Sequence, residues 1–167
     1  METLKAILTR RSIRKYTGEP VSEEMIRKML EAGMAAPSAN NQQPWQFVVI
    51  TDRKLLNAVP KFHEYAQMLK GAPCAILVCG EDPDKHLYWQ QDCAAAVQNI
   101  LLAAHGLGLG AVWLGIYPRE PRVKEMEKLL NLPGTVVPMA LISIGHPAED
   151  KPPANRFTEE RTHRNQW

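Results

Sequence analysis

The chain has little cysteine: Cys74, Cys79 and Cys93 are odd in number, sit in apolar runs and form no C-x-x-C pair. That argues against a disulfide scaffold or a zinc site and for buried thiols in a reducing compartment such as the cytoplasm. Charge of one sign is also missing. A net charge of +2 gives the global field little pull on nucleic acid or an anionic membrane. The five histidines fall at no metal-ligand spacing, and there is no G-x-S-x-G or Ser/His/Asp pattern. Asp82, Asp84 and Asp92 read as turn and capping residues, and His105, on an apolar helix, as a core histidine. A chain without acid–base or nucleophilic apparatus, if it is an enzyme, needs a cofactor to carry the reaction.

No uninterrupted apolar span is present either. Residues 94–117 are apolar enough to raise the question, but Gln98, Asn99, His105 and four glycines break the run. A buried helix followed by a buried strand fits it better. The start, METLKAILTRRS, lacks the long apolar core of a signal peptide.

What is present is the material of one domain, residues 1–167, with an apolar share of 45%. Thr3 is expected to cap a short helix with Leu4, Ile7 and Leu8 on one face. Ser22 caps a second, with Val21 stapled to Ile26. QFVVIT reads as a strand, Asp52 caps a helix carrying Leu55 and Leu56, and residues 61–70 are helical. CAILVCG is a second strand. Residues 84–105 form a long helix, AVWLG a third strand, 122–130 a helix and VVPMALISIG a fourth strand. Pro138 favours an edge or a bulge for that last strand. From His146 onward the chain is proline-rich and charged and cannot build a core of its own. Helices and strands intermix without strict βαβ alternation.

Three stretches carry candidate chemistry. In RRSIRKY, Arg10, Arg11, Ser12 and Arg14 offer three guanidiniums and a hydroxyl within five residues, which suits a phosphate monoester. The same stretch also reads as a solvated basic turn or a nucleic-acid contact. PSANNQQPW presents uncharged amide donors and acceptors between stiffening prolines, suited to a heterocycle's edge, and also reads as a plain surface loop. GLGLGA has the letters of a dinucleotide fingerprint but the wrong context. A helix precedes it and a strand follows, so a phosphate would face the negative end of the helix dipole. Gly106 is instead expected to be the left-handed residue that closes the helix.

Taken together, RRSIRKY, A-x-P-S-A-x-N-x-Q-P-W, the small-residue helix with GLGLGAVWLG, and the terminal IGHP…PPANRF…NQW resemble the FMN-dependent nitroreductase family over essentially the whole chain, in the right order. The resemblance implies an α+β fold with a mostly antiparallel sheet flanked by helices. It also implies a homodimer with FMN at the interface and a C-terminal arm, residues 146–167, extending over the partner. By position, Arg10, Arg11, Ser12 and Arg14 would hold FMN, with Arg156 completing the phosphate clamp. Pro37, Ser38, Ala39 and Asn41 would approach from the other subunit, with Gln43 supporting their loop. Leu114 and Gly115 would bring backbone to the reactive edge, and Gln67 would add a ring-edge contact.

The implied activity is a ping-pong oxidoreductase. NADH or NADPH would reduce the flavin, and a small electron-poor acceptor, a nitroaromatic or quinone, would reoxidise it. Reductive dehalogenation or oxygen-dependent flavin chemistry are alternatives within the fold; a cofactor-free protein binding an anion or nucleic acid is the alternative outside it. Two departures stand out. Ala154 occupies a position where many members have a basic residue, leaving Lys151 as a substitute, and the segment from about 60 to 92 that often forms a substrate lid is short.

Overall fold

The structure, a computed structural model, describes residues 2–167. Four strands, β1 (Trp45–Ile50), β2 (Cys74–Glu81), β3 (Gly110–Gly115) and β4 (Val136–Gly145), make one sheet in the order β1-β2-β4-β3, every pair antiparallel. Five α-helices accompany it: α1 (Thr3–Thr9), α2 (Glu23–Met34), α3 (Arg53–Ala58), α4 (Trp89–Gly106) and α5 (Glu120–Leu130). This is the α+β architecture that the motifs imply.

The two central strands are buried on both faces, and for that reason they read as continuous apolar runs. On one face Ile76, Val78, Ile142 and Ile144 pack against α2 and α4 through Met29, Cys93, Val97 and Ile100. On the other, Leu77, Cys79, Leu141 and Leu114 pack against Leu56, Leu69 and Met126. Gly33 lets α2 and α4 approach closely, since a Cβ there would lie 3.0 Å from Ile100. The three cysteines are free and buried, and burial pushes each thiol up to about 12.

Local signals mostly hold. Ser22 Oγ accepts from Met25 N at 3.3 Å, and Asp52 Oδ1 accepts from Lys54 N and Leu55 N. Three expectations need correction, and one choice is decided. Thr3 is the first helical residue of α1, and Glu2 stands at the cap without a side-chain bond. The long helix starts at Trp89, because Asp82 takes a positive φ of 44° and opens a turn. Of the two settings expected for it, an edge or a bulge, Pro138 takes the bulge, in a central strand. Its missing N–H is absorbed by a bulge, where Val78 pairs with Ala140 and Cys79 with Pro138, leaving Met139 extra. The Met139 carbonyl then accepts from the backbone of both Ile116 and Tyr117.

The third correction concerns GLGLGA. Gly106 ends α4 in helical hydrogen bonding, and Gly108 is the left-handed residue, with φ +79°. Leu109 N donates to Ala104 O at 2.8 Å and Gly108 N to His105 O at 3.0 Å, the paired bonds of a Schellman closure. The chain then enters β3. Among the described residues, no helix is long and apolar enough to cross a membrane.

Candidate functional site

RRSIRKY is not a turn at a helix end. Helix α1 stops at Thr9, and the chain then runs extended along the outer edge of β3. Ser12 bridges Ala111 in parallel, Ile13 N donates to Ala111 O at 3.1 Å, and Tyr16 pairs with Pro147. Gly110 permits this approach: a Cβ there would fall 2.6 Å from Ile13 Cγ2. With Ile13 turned inward and buried, alternation leaves Ser12 and Arg14 on the opposite side of the segment.

The terminal segment returns to this edge. Lys151 Nζ donates to Ser12 O at 2.8 Å and pairs with Glu149 at 3.2 Å. The Glu149 carboxylate accepts from Arg14 N at 2.6 Å, and that bond above all holds its carboxyl below the usual range. Arg11 donates to the Pro152 carbonyl. Arg10 and Arg156 line one cleft of about 420 Å³ with Ile7, Leu8, Ala154 and Phe157. Burial, and after it the charges of Arg156 and Arg11, pull the Arg10 guanidinium below the ordinary arginine value. Among the described residues, no carboxylate lies within 4.0 Å of the side chains of Arg10, Arg11, Arg14 or Arg156. Lys151 lines a neighbouring hollow with Arg11 and His105, not the Arg10–Arg156 cleft.

A second group meets around the end of β3. Arg14, Gln67, Leu114 and Gly115, far apart in sequence, line one cleft of about 460 Å³. The cleft also holds two residues that the sequence did not single out. His63 is 1% exposed, and its Nε2 lies 3.0 Å from Gly115 O. Arg122 Nη1 donates to the same oxygen, also at 3.0 Å. A carbonyl accepts only, so Nε2 of His63 carries the proton, and Nδ1, buried, has no partner. Burial first, and then the Arg122 charge, lower the His63 pKa. The α-carbon of Gly115 faces open space: a Cβ placed there would have no neighbour within 4 Å.

The third group is the loop after α2. Ala39–Asn41 form a 3₁₀ turn, and Asn40, Asn41 and Gln43 all have positive φ, near 50°. That conformation is uncommon for residues other than glycine and is most readily taken by asparagine. Two bonds to side chains help hold it: Gln43 N donates to Ser38 Oγ at 3.0 Å, and Ala39 N to Asp92 Oδ1 at 3.0 Å. Asp92 is therefore a loop anchor, 5% exposed in the first turn of α4. A carboxylate on the apolar face of a helix was the readable signal for it. His63 left no such signal.

The first and third groups sit at opposite ends of α4. Asp92 holds the Ala39 loop at its start, whereas His105, in its last turn, meets Thr9 Oγ1 at 2.8 Å beside Arg10. His105 is thus half-buried at a junction, not a core histidine. At 1.5 Å per residue the two attachment points are about 20 Å apart along the helix axis. Asn40 and Asn41 are also exposed. Within one chain the anchor of the Ala39 loop therefore lies far from the Thr9–His105 contact beside Arg10.

A family model described as the nitroreductase family matches residues 7–67 and 57–146. A Methanothermobacter thermautotrophicus protein, provisionally named NADH dehydrogenase/NAD(P)H nitroreductase, is 47% identical over 169 residues, covering 100% of this chain and 88% of its own. An FMN-dependent nitroreductase from Clostridium difficile R20291 has a TM-score of 0.92 at 31% identity, covering 98% of this chain and 99% of its own. A protein of Desulfovibrio desulfuricans, provisionally described as a nitroreductase and solved in complex with FMN, has a TM-score of 0.85 at 37% identity, covering 100% and 98%.

Proposed function

The chain belongs to the nitroreductase family and is an FMN-dependent NAD(P)H oxidoreductase; we propose that two copies share each flavin site and that the acceptor is a small electron-poor compound. When bound, FMN supplies two-electron transfer from NAD(P)H to an acceptor such as a nitroaromatic or quinone, the two reactants using one open face in turn.

The residues of this chain do the holding. Arg10 and Arg156, with Arg11 and Ser12 beside them, would hold the phosphate, and Arg14 would serve the ring's polar edge. Leu114 and Gly115 would bring backbone to the ring, with Gln67 adding an edge contact. The observation that carries this reading is the Arg10–Arg156 cleft: two guanidiniums share it, one partly desolvated, without a carboxylate between them. Such a pair is costly alone and favours a dianion that accepts forked hydrogen bonds. The open face of Gly115 suits a flat ring lying against backbone.

Pro37, Ser38, Ala39 and Asn41 serve the site of a second copy, because α4 separates them from the arginines of their own copy. The C-terminal arm supports the same arrangement. Phe157 and Trp167 are 84% and 101% exposed, which suits side chains destined for a partner surface.

The test is direct. The purified protein is expected to be yellow, to release FMN on denaturation, and to bleach with NADH or NADPH in the absence of oxygen. Colourless protein that cannot be reconstituted with FMN would overturn the reading. Turnover across nitroaromatics, quinones and enones then identifies the acceptor class.

A further inference from the structure

We propose that the basic hollow beside the Gly115 cleft, lined by Lys61, Arg119 and Arg122, receives the diphosphate of the reduced nicotinamide dinucleotide. This rests on the Gly115 cleft being the place where the donor reacts. The two spaces adjoin, since Glu64, Tyr65, Gln67 and Arg122 line both. The basic hollow encloses about 640 Å³ and adjoins, at Lys61 and Phe62, a third of about 580 Å³ that includes Ala58, Lys128 and Leu129.

Charge and chemistry change along this track in the order that a dinucleotide presents. The Gly115 end is open backbone. The middle carries three cations from two unrelated segments, Lys61 after α3 and Arg119 and Arg122 at the start of α5. One carboxylate opposes them, Glu64, which is 3.9 Å from Arg122 and itself 72% exposed. Among the described residues, Lys61 and Arg119 have no carboxylate within 4.0 Å. The excess of two positive charges matches the two negative charges of a diphosphate, which guanidinium groups bind by forked hydrogen bonds. The far hollow offers the apolar surface of Phe62 and Leu129 to a planar base, with Lys61, Lys128 and the carboxylate of Glu125 also lining it.

An anionic acceptor would exploit the same cations, so the test must separate donor from acceptor. Lys61→Ala and Arg119→Ala, alone and combined, are compared with the unmodified holoenzyme. Donors are NADH, NADPH and N-benzyl-1,4-dihydronicotinamide, which has no phosphate. Each variant is expected to retain FMN and to lose about fivefold in kcat/KM for NADH and NADPH, with a flatter salt dependence. The benzyl donor and the acceptor are expected to keep their kcat/KM, and Lys61→Arg to restore the loss. Unchanged kcat/KM for NADH and NADPH overturns the proposal. So does an equal loss with the benzyl donor, or a loss confined to the acceptor. Failure of the unmodified protein to bind FMN is a separate result, which removes the flavin reading first and this proposal with it.

Discussion

His63 and Arg122 converge on one atom: Nε2 of the histidine and Nη1 of the arginine each lie 3.0 Å from the carbonyl oxygen of Gly115. The imidazole is buried, and a proton on Nδ1 would place a second cation beside the guanidinium. Its folded pKa is accordingly lowered, and that of His105 is lowered too, by burial and then by Arg10.

The sign of the pH effect follows. In the unfolded chain histidine titrates near a pKa of about 6.5. Between that value and the lower folded pKa, the unfolded state binds more protons. Stability is therefore full above about pH 6.5 and falls as pH drops toward the folded pKa. Thermal unfolding across this window is expected to show the loss. His63→Gln, which keeps a donor for Gly115 O, is expected to flatten the slope in part, because His105 still contributes. An unchanged slope would mean that His63 does not titrate in this way.

Arg156→Ala separates binding from stability. Removing it relieves the repulsion on Arg10, so the melting temperature of FMN-free protein is expected to hold or rise slightly. Affinity for FMN, followed by flavin fluorescence, is expected to fall about tenfold or more, as for other hydrogen bonds to charged groups. Arg10→Ala should weaken FMN comparably, and the double variant by less than the sum if, as proposed, the two share one phosphate. Unchanged FMN occupancy in both single variants would remove the phosphate assignment.

Asp92→Ala is expected to free Ala39 N inside the protein and cost about 1–3 kcal/mol in denaturant unfolding. It should also lower FMN retention by loosening the 37–41 loop. Asp92→Asn keeps a side-chain oxygen available to Ala39 N and is expected to recover most of that retention. Equal loss in both variants would show that the loop needs the charge and not the hydrogen bond.

The glycines of GLGLGA should behave differently from one another. Gly106→Ala adds a methyl group in open space to a helical residue and is expected to be neutral or stabilising, by up to about 1 kcal/mol. Gly108→Ala forces φ +79° on an L-residue, at a cost of about 1–2 kcal/mol. Gly110→Ala drives Cβ into Ile13 and is expected to be the most damaging. It should displace Ser12 and Arg14 and lower FMN affinity along with stability. Equal effects at all three positions would contradict these roles.

Much of the fold was legible because its signals are local. Ser22 and Asp52 close their own first helical turns, and the apolar runs of β2 and β4 reflect burial on both faces. The motif order carried the family, and with it the antiparallel sheet. Local signals also misled where two residues compete for one role. Gly106 and Gly108 both suit a helix end, and only the closing hydrogen bonds choose between them. Pro138 allowed an edge or a bulge, and only the strand pairing chooses the bulge.

The sequence by itself determined the types of group available: an arginine cluster, a stiff amide-rich loop, a glycine at a strand end and three inert thiols. Which of them meet was decided by the tertiary structure. The sheet order brings Arg14, Gln67, Leu114 and Gly115 to one cleft and adds His63 and Arg122 to it, while α4 holds the 37–41 loop at Asp92 and meets Thr9 at His105, about 20 Å further along its axis. The physical reason is range. Caps and turns close within a few residues, whereas convergence of side chains 50 or 100 residues apart depends on how sheet and helices pack, which short-range pattern does not encode.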